Sequence, residues 1–342
     1  MVPVVDINQI PLMPCSEKRA RRMIESRKGT PFWKKGIFCI RLNKDPSART
    51  TQPIAVGIDP GSKKEGYTVK SEAHTLLNIN ADAVTWVKDA VKTRREMRQA
   101  RRFRKTPCRK NRTNRKGGQL PPSTKARWGW KIRICNWLRN MYPITDWIVE
   151  DIKAITKGKK RWDQMFSPLE VGKNWFYGEL LKFGALTLRH GWETKELRDA
   201  VGLKKSKKKL APVFSAHCVD SWVLANLIVG GHTKPENEKL SLVTPLRLHR
   251  RQLHYLQPRS GGERPSYGGT RSLGFKRGSL VRHPKWGLTY VGGTAGERVS
   301  LLSLSTGKRV TRSVKPPDLV FLTYNTWRVT PPFAHRVVHA DQ

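Results

Sequence analysis

Apolar residues alternate with small ones over Ile54, Val56 and Ile58, stop at Pro60-Gly61, and resume at Tyr67-Thr68-Val69. A period of two interrupted by turn residues predicts a strand, a tight turn and a second strand over Ile54–Val69. His74–Ile79 predicts a third strand. Val84, Val87 and Val91 then recur at helical spacing, so the chain passes into an amphipathic helix. After a linker at Pro121-Pro122, the residues Trp130, Ile134, Trp137, Leu138 and Met141 share one helical face and read as core, with Pro143 ending that helix. Asp146–Ile152 is a short buried-strand pattern. It is followed by a helix over Leu169–Phe183, a strand over Ala185–Arg189 and a helix over Glu193–Val201. A last helix spans Ser215–Val229, with Ser215 as N-cap and Val219, Trp222, Val223 and Leu227 as its buried stripe. Strands and helices in this order predict an α/β core.

The two ends of the chain read differently. Residues 1–53 hold Pro11-Leu12-Met13-Pro14, a helix capped by Ser16 and a strand at Ile37–Leu42, a small module with Lys18, Arg19, Arg21, Arg22 and Arg27 on its helix. From about Leu240 short alternating runs stand between glycines and prolines. Strands are expected at Ser279–Arg282, Leu288–Val291, Val299–Leu304 and Arg309–Arg312, with turns at Gly292-Gly293 and Thr306-Gly307. This is a small basic β-domain behind a basic linker, residues 247–269.

Charge changes the picture most. The 342 residues carry 67 Lys+Arg against 26 Asp+Glu, a formal +41, with 37% hydrophobic residues. A body this positive repels itself, and a polyanion is the natural partner. No apolar run is long enough to span a membrane, and Asp6 and Asn8 interrupt any signal-peptide pattern, so a cytoplasmic location is expected. The five cysteines, Cys15, Cys39, Cys108, Cys135 and Cys218, form no CxxC pair and read as reduced thiols. Between Arg94 and Arg115, eleven of twenty-two residues are Lys or Arg and the only acid is Glu96. These are Arg94, Arg95, Arg98, Arg101, Arg102, Arg104, Lys105, Arg109, Lys110, Arg112 and Arg115. A solvated helix would set acids four residues away from such bases. A helix basic on every side needs phosphates around it. Lys204–Lys209 is a second basic run, either a solvated loop or a phosphate contact.

Three carboxylates and a histidine carry the candidate chemistry. Asp59 ends the first strand, Glu150 ends the DWIVEDI strand, and His217 and Asp220 leave one face of the last helix. Carboxylates at the ends of adjacent strands with a third on a packing helix suit two Mg²⁺ ions about 4 Å apart, which act on a phosphodiester. Asp59 is the candidate bridge, and Glu150 and Asp220 are the outer ligands. His217 either orients or deprotonates the water or binds one metal. Mn²⁺ is a possible substitute for Mg²⁺.

GIDPGSKKEGY, the Arg-rich segment, IVEDI and AHCVDSWVLAN together resemble the three separated parts of a RuvC nuclease. With PLMP near the start, the chain is similar to the IscB and IsrB proteins of insertion sequences. That resemblance implies an RNase H-like mixed sheet with part I at 54–83, a bridge helix at 84–116, part II at 117–157 and part III at 158–239. It also implies an N-terminal module at 1–53 and a C-terminal domain at 240–342 that contacts a duplex bearing a short flanking motif. Asp151–Ala216 holds one histidine, His190, too few for the HNH nuclease of IscB, and no cysteine zinc ribbon like that of TnpB exists. The resemblance is therefore to IsrB. Ser221 stands where many relatives have Ala. The implied activity is an omega-RNA-guided nickase that cuts the displaced DNA strand, a monomeric protein in a ribonucleoprotein with guide RNA and target DNA. Two alternatives stay open: a structure-specific resolvase of the same fold, and a non-enzymatic RNA-binding protein of a transposon.

Overall fold

The structure, a computed structural model, describes residues 1–104, 120, 122–153, 168–246 and 271–330. Two compact units result. One comprises Met1–Thr50, Ile79–Ala81 and Lys239–Gln342, the other Thr51–Asn78 and Asp82–Glu238.

The second unit holds strands β5 (Ile54–Asp59), β6 (Lys64–Ser71), β8 (Asp146–Asp151) and β9 (Ala185–His190), and all of β7 (Thr75–Asp82) except Ile79–Ala81. Their order is β7-β6-β5-β8-β9. β5 and β6 are antiparallel, while β8 runs parallel to β5 and β9 parallel to β8. Three meandering strands followed by two parallel ones make this the RNase H-like mixed sheet expected from the sequence. Every residue of β5 is buried, because helices cover the strand on both faces.

α6 (Phe214–Val229) packs on β5 and β6. Its approach depends on two glycines. A Cβ at Gly57 would lie 1.8 Å from the Ser221 carbonyl oxygen, and one at Gly66 2.5 Å from that of His217. On the opposite face α3 (Pro122–Arg139) meets the sheet where Lys131 pairs with buried Glu65, whose other oxygen accepts from the Tyr67 hydroxyl at 2.5 Å. The predicted face of α3 is core throughout: Trp130, Ile134, Trp137 and Leu138, with Met141 just beyond the helix, are all buried. α4 (Pro168–Leu180) sets Phe176 5.3 Å from Trp128, and α5 (Gly191–Ala200) follows β9.

α2 (Val87–Phe103) begins after Val84 rather than at it. Val84 and Val87 are buried, but Val91 is 45% exposed, so the apolar stripe ends within the first turn. α6 also departs from expectation. It starts at Phe214 after Val213, with no side-chain cap, so Ser215 is not its N-cap. Val219, Trp222 and Val223 are buried, whereas Leu227 is 40% exposed, lining an open cavity with Trp192, Glu196 and Leu197.

In the first unit, β1 (Val2–Val5), β2 (Pro11–Cys15), β3 (Gly29–Lys34) and β4 (Ile37–Leu42) form a sheet of order β2-β1-β4-β3. PLMP is thus strand. α1 (Glu17–Glu25) is capped as predicted, the Ser16 hydroxyl accepting from the Arg19 N–H at 3.3 Å. The C-terminal strands β11 (Ser279–His283), β12 (Gly287–Ala295), β13 (Arg298–Ser303), β14 (Arg309–Val314) and β15 (Val320–Tyr324) form a sheet of order β14-β13-β12-β11-β15. Gly292-Gly293 is not a turn. Both glycines lie inside β12 at a register shift, and the chain reverses at Gly296, whose φ is +56°. β10 (Leu240–Pro245) and β16 (Trp327–Thr330) pair antiparallel. The Asn325 amide donates to the Lys35 carbonyl at 2.8 Å, tying the two ends of the chain together within this unit.

Candidate metal centre

Asp59 and Glu150 reach one place through strand register. The parallel pairing of Ile58 with Val149 brings the next residues, Asp59 and Glu150, side by side on the face that α6 covers. Asp220 enters from the second turn of α6. One carboxylate oxygen from each of the three lies within 4.8 Å of the others. Asp59 is 5% exposed and Asp220 2%. His217 joins them, Nδ1 standing 2.8 Å from Asp59 Oδ2 while Nε2 faces the Lys209 carbonyl at 3.0 Å. All four predicted residues are brought together.

Two cations beside the triad escaped sequence reasoning. The Lys205 ammonium bonds Asp220 Oδ2 and stands 3.3 Å from Asp59 Oδ2. Arg198 of α5 donates to Asp220 Oδ1 at 2.5 Å. The only sequence signal for Lys205 was its basic run just ahead of α6, and nothing marked Arg198 among the other arginines.

These neighbours set the titration of the centre. Burial works against the charged form of Asp59, but the hydrogen bond from His217 and the charge of Lys205 outweigh it, so its carboxyl lies below the usual range. Burial likewise opposes the charge of Lys205, and the carboxylates of Asp59 and Asp220 reverse that, raising its pKa. Burial first, then repulsion from Asp59 and Asp220, push the Glu150 carboxyl up to about 7. The charges of Lys205 and Arg198 also favour its ionisation, but they do not offset the opposing effects.

The donor set fits a divalent cation. Three carboxylates offer the hard oxygens that Mg²⁺ or Mn²⁺ prefer. Among the described residues, Glu150 Oε2 is buried without a hydrogen-bond partner, an acceptor oxygen open to a cation. The neighbouring Asp151 is tied down separately. It takes the Lys173 ammonium at 2.8 Å and the Tyr177 hydroxyl at 2.9 Å, which anchors the end of β8 to α4.

Arg94, Arg95, Arg98, Arg102 and Arg104 are exposed on or just after α2. The side chain of Arg101 and the residues Lys105, Arg109, Lys110, Arg112 and Arg115 lie outside the described residues. Among the described cysteines, Cys15, Cys39, Cys135 and Cys218 are buried and outside any disulfide.

The sequence profile of a family described as RRXRR protein matches residues 2–161, a stretch that contains Asp59 and Glu150 and ends before Asp220. No curated protein matches the chain. Among solved structures, T. thermophilus RuvC in complex with Holliday junction substrate is similar at 14% identity and a TM-score of 0.29, covering 53% of this chain and 98% of that one. No described helix is long and apolar enough to cross a membrane.

Proposed function

We propose that this protein is a metal-dependent DNA endonuclease of the RuvC type, acting as an omega-RNA-guided nickase. The convergence of Asp59, Glu150 and Asp220 within 4.8 Å on an RNase H-like sheet carries the reading. Its sequence support is the IsrB-like motif set.

Asp59, Glu150 and Asp220 would hold the divalent cation, Mg²⁺ or its substitute Mn²⁺, and Asp59 would be the candidate shared ligand if two were bound. Bound there, the ion supplies Lewis-acid polarisation of the phosphate and acidifies the attacking water. The protein's own groups do the rest. Lys205 and Arg198 neutralise Asp59 and Asp220 before the ion arrives, and Lys205 must leave at least one oxygen for it. Glu150 would have to be deprotonated to serve as a ligand, which a bound cation would favour. His217, the imidazole against Asp59, positions the water or handles its proton. The arginines of the bridge segment, Arg94 through Arg115, grip RNA phosphates. The C-terminal domain holds the duplex beside the flanking motif, and guide pairing reads the target strand.

The protein purified with its co-purifying RNA is the test. A sequenced guide should direct Mg²⁺-dependent nicking of a matched plasmid, and Asp59→Ala should abolish the nick while retaining the RNA. Nicking of a four-way junction without RNA would replace this reading by a resolvase. Guided DNA binding with no nick in any divalent metal would leave a non-enzymatic RNA-binding protein.

A further inference from the structure

A register shift at the edge of the C-terminal sheet builds a second feature, unconnected with the carboxylate centre. Between β11 and β15, Ser279 pairs with Tyr324 and Leu280 with Thr323, yet Val281 pairs with Phe321. Leu322 is therefore an extra residue, a β-bulge. In a regular strand residues 321 and 324 would face opposite sides. The bulge cancels that alternation and turns both rings to the same side. There they line a pocket of about 130 Å³ together with Arg271, Gly274, Lys276 and Ser279.

Three properties of this pocket point to one ligand class. Its rings are available: Phe321 is 54% exposed and Tyr324 37%, on the outermost strand of the sheet. Among the described residues its charged lining groups are Arg271 and Lys276, with no carboxylate. The Lys276 ammonium stands 5.0 Å from the centre of the Tyr324 ring, which holds that ring in place and leaves Phe321 as the open face. An apolar side chain would cover the rings and desolvate the cations. An acidic peptide would pair with the cations and leave the rings in water. A nucleotide satisfies both, since its base stacks and its phosphate takes the charge. In a duplex both faces of a base are already stacked, so the nucleotide must be unpaired.

We propose that this pocket holds one unpaired nucleotide of a single strand, its base on Phe321 and Tyr324 and its phosphate at Arg271 and Lys276. The site stands whether or not the carboxylate centre cuts.

The experiment uses the full-length protein in chelator, so that cleavage is not read. Single-stranded RNA and DNA of the same sequence, carrying 5-iodouridine for photocrosslinking or 2-aminopurine for fluorescence, are the probes. The expected crosslink lies on the peptide containing Phe321 and Tyr324, and the RNA and DNA arms identify the source of the strand. Phe321→Leu keeps apolar bulk and should weaken the fluorescence-detected binding about 5- to 150-fold, the range for one lost stack. Phe321→Trp should retain it. Lys276→Met should lower its salt dependence by about one phosphate contact. Crosslinks confined to other peptides, or a Phe321→Leu protein that quenches like the parent, would overturn the proposal.

Discussion

The carboxylate centre and the basic helix α2 both concentrate like charges, and they handle them in opposite ways. At the centre, Asp59 and Asp220 are buried and share the Lys205 ammonium, so a substitution at one disturbs the others. Along α2 the arginines are exposed, and water screens each from the next. Few buried charges suit chemistry. Many exposed ones suit the summed, sequence-blind grip on a phosphate backbone.

The contrast is broken most severely at Asp59. Asp59→Ala should lower nicking by more than the roughly 10–100-fold typical of groups behind metal ligands, with RNA affinity unchanged. Equal loss of both would place Asp59 in the binding surface instead.

Gly57→Ala tests whether geometry alone can empty the centre, since it alters no charge. Its methyl would strike the Ser221 carbonyl, so α6 must move and carry His217 and Asp220 away. Overpacking of this kind costs about 1–3 kcal/mol or more. The melting temperature should fall by several degrees. Nicking should fall further than the stability loss accounts for. A variant with parental melting and activity would show that the close approach is not needed.

Lys205→Met sharpens the contrast from the other side. Without its ammonium the three carboxylates repel one another, so the metal-free protein should melt lower and gain more from Mn²⁺ than the parent does. Calorimetry with and without the ion reads both. Equal gains in the two proteins would remove Lys205 from the site.

The pH dependence follows from Glu150. Its folded carboxyl titrates near 7 and its unfolded one near 4.5, so between those values the folded state holds the extra proton. Stability contributed by that proton is present at low pH and is lost as pH rises toward 7, by at most about 1.4 kcal/mol per unit. Metal affinity should climb over the same window, because the ion needs the deprotonated form. Glu150→Gln should flatten the stability curve, and a curve unchanged by it would refute the assignment.

The smallest effect belongs to α2. Arg98→Ala should reduce the slope of log affinity against log salt by about one and leave nicking of saturated complexes intact. A large loss from this one exposed residue would mean that α2 acts as a specific site.

Most of the second unit was legible because period-2 and period-3.6 patterns report burial directly. β5, β8 and the core face of α3 followed from their apolar spacing, and Asp59 and Glu150 were exposed as carboxylates closing buried strands. What failed, failed where local signals compete with packing. Ser215 is a good capping residue, but the helix begins one residue earlier where Phe214 is buried. Gly292-Gly293 has turn composition, yet cross-strand pairing with β13 continues through it with a bulge. Val2–Val5 and Gly29–Lys34 are too short and too broken by proline and charge to announce strands. They are recruited by pairing with β2 and β4.

By itself the sequence pointed to a polyanionic partner and determined the order of strands and helices and which carboxylates had the chance to meet, because charge balance and hydrophobic period are properties of the chain alone. Only tertiary structure decided that Lys205 and Arg198 stand against Asp220 and that Glu150 Oε2 is buried with no hydrogen-bond partner among the described residues. It also joined the first fifty residues and the last hundred into one unit and turned Phe321 and Tyr324 to one side. Such placements depend on distances between residues remote in the chain, and no local pattern of side chains encodes them.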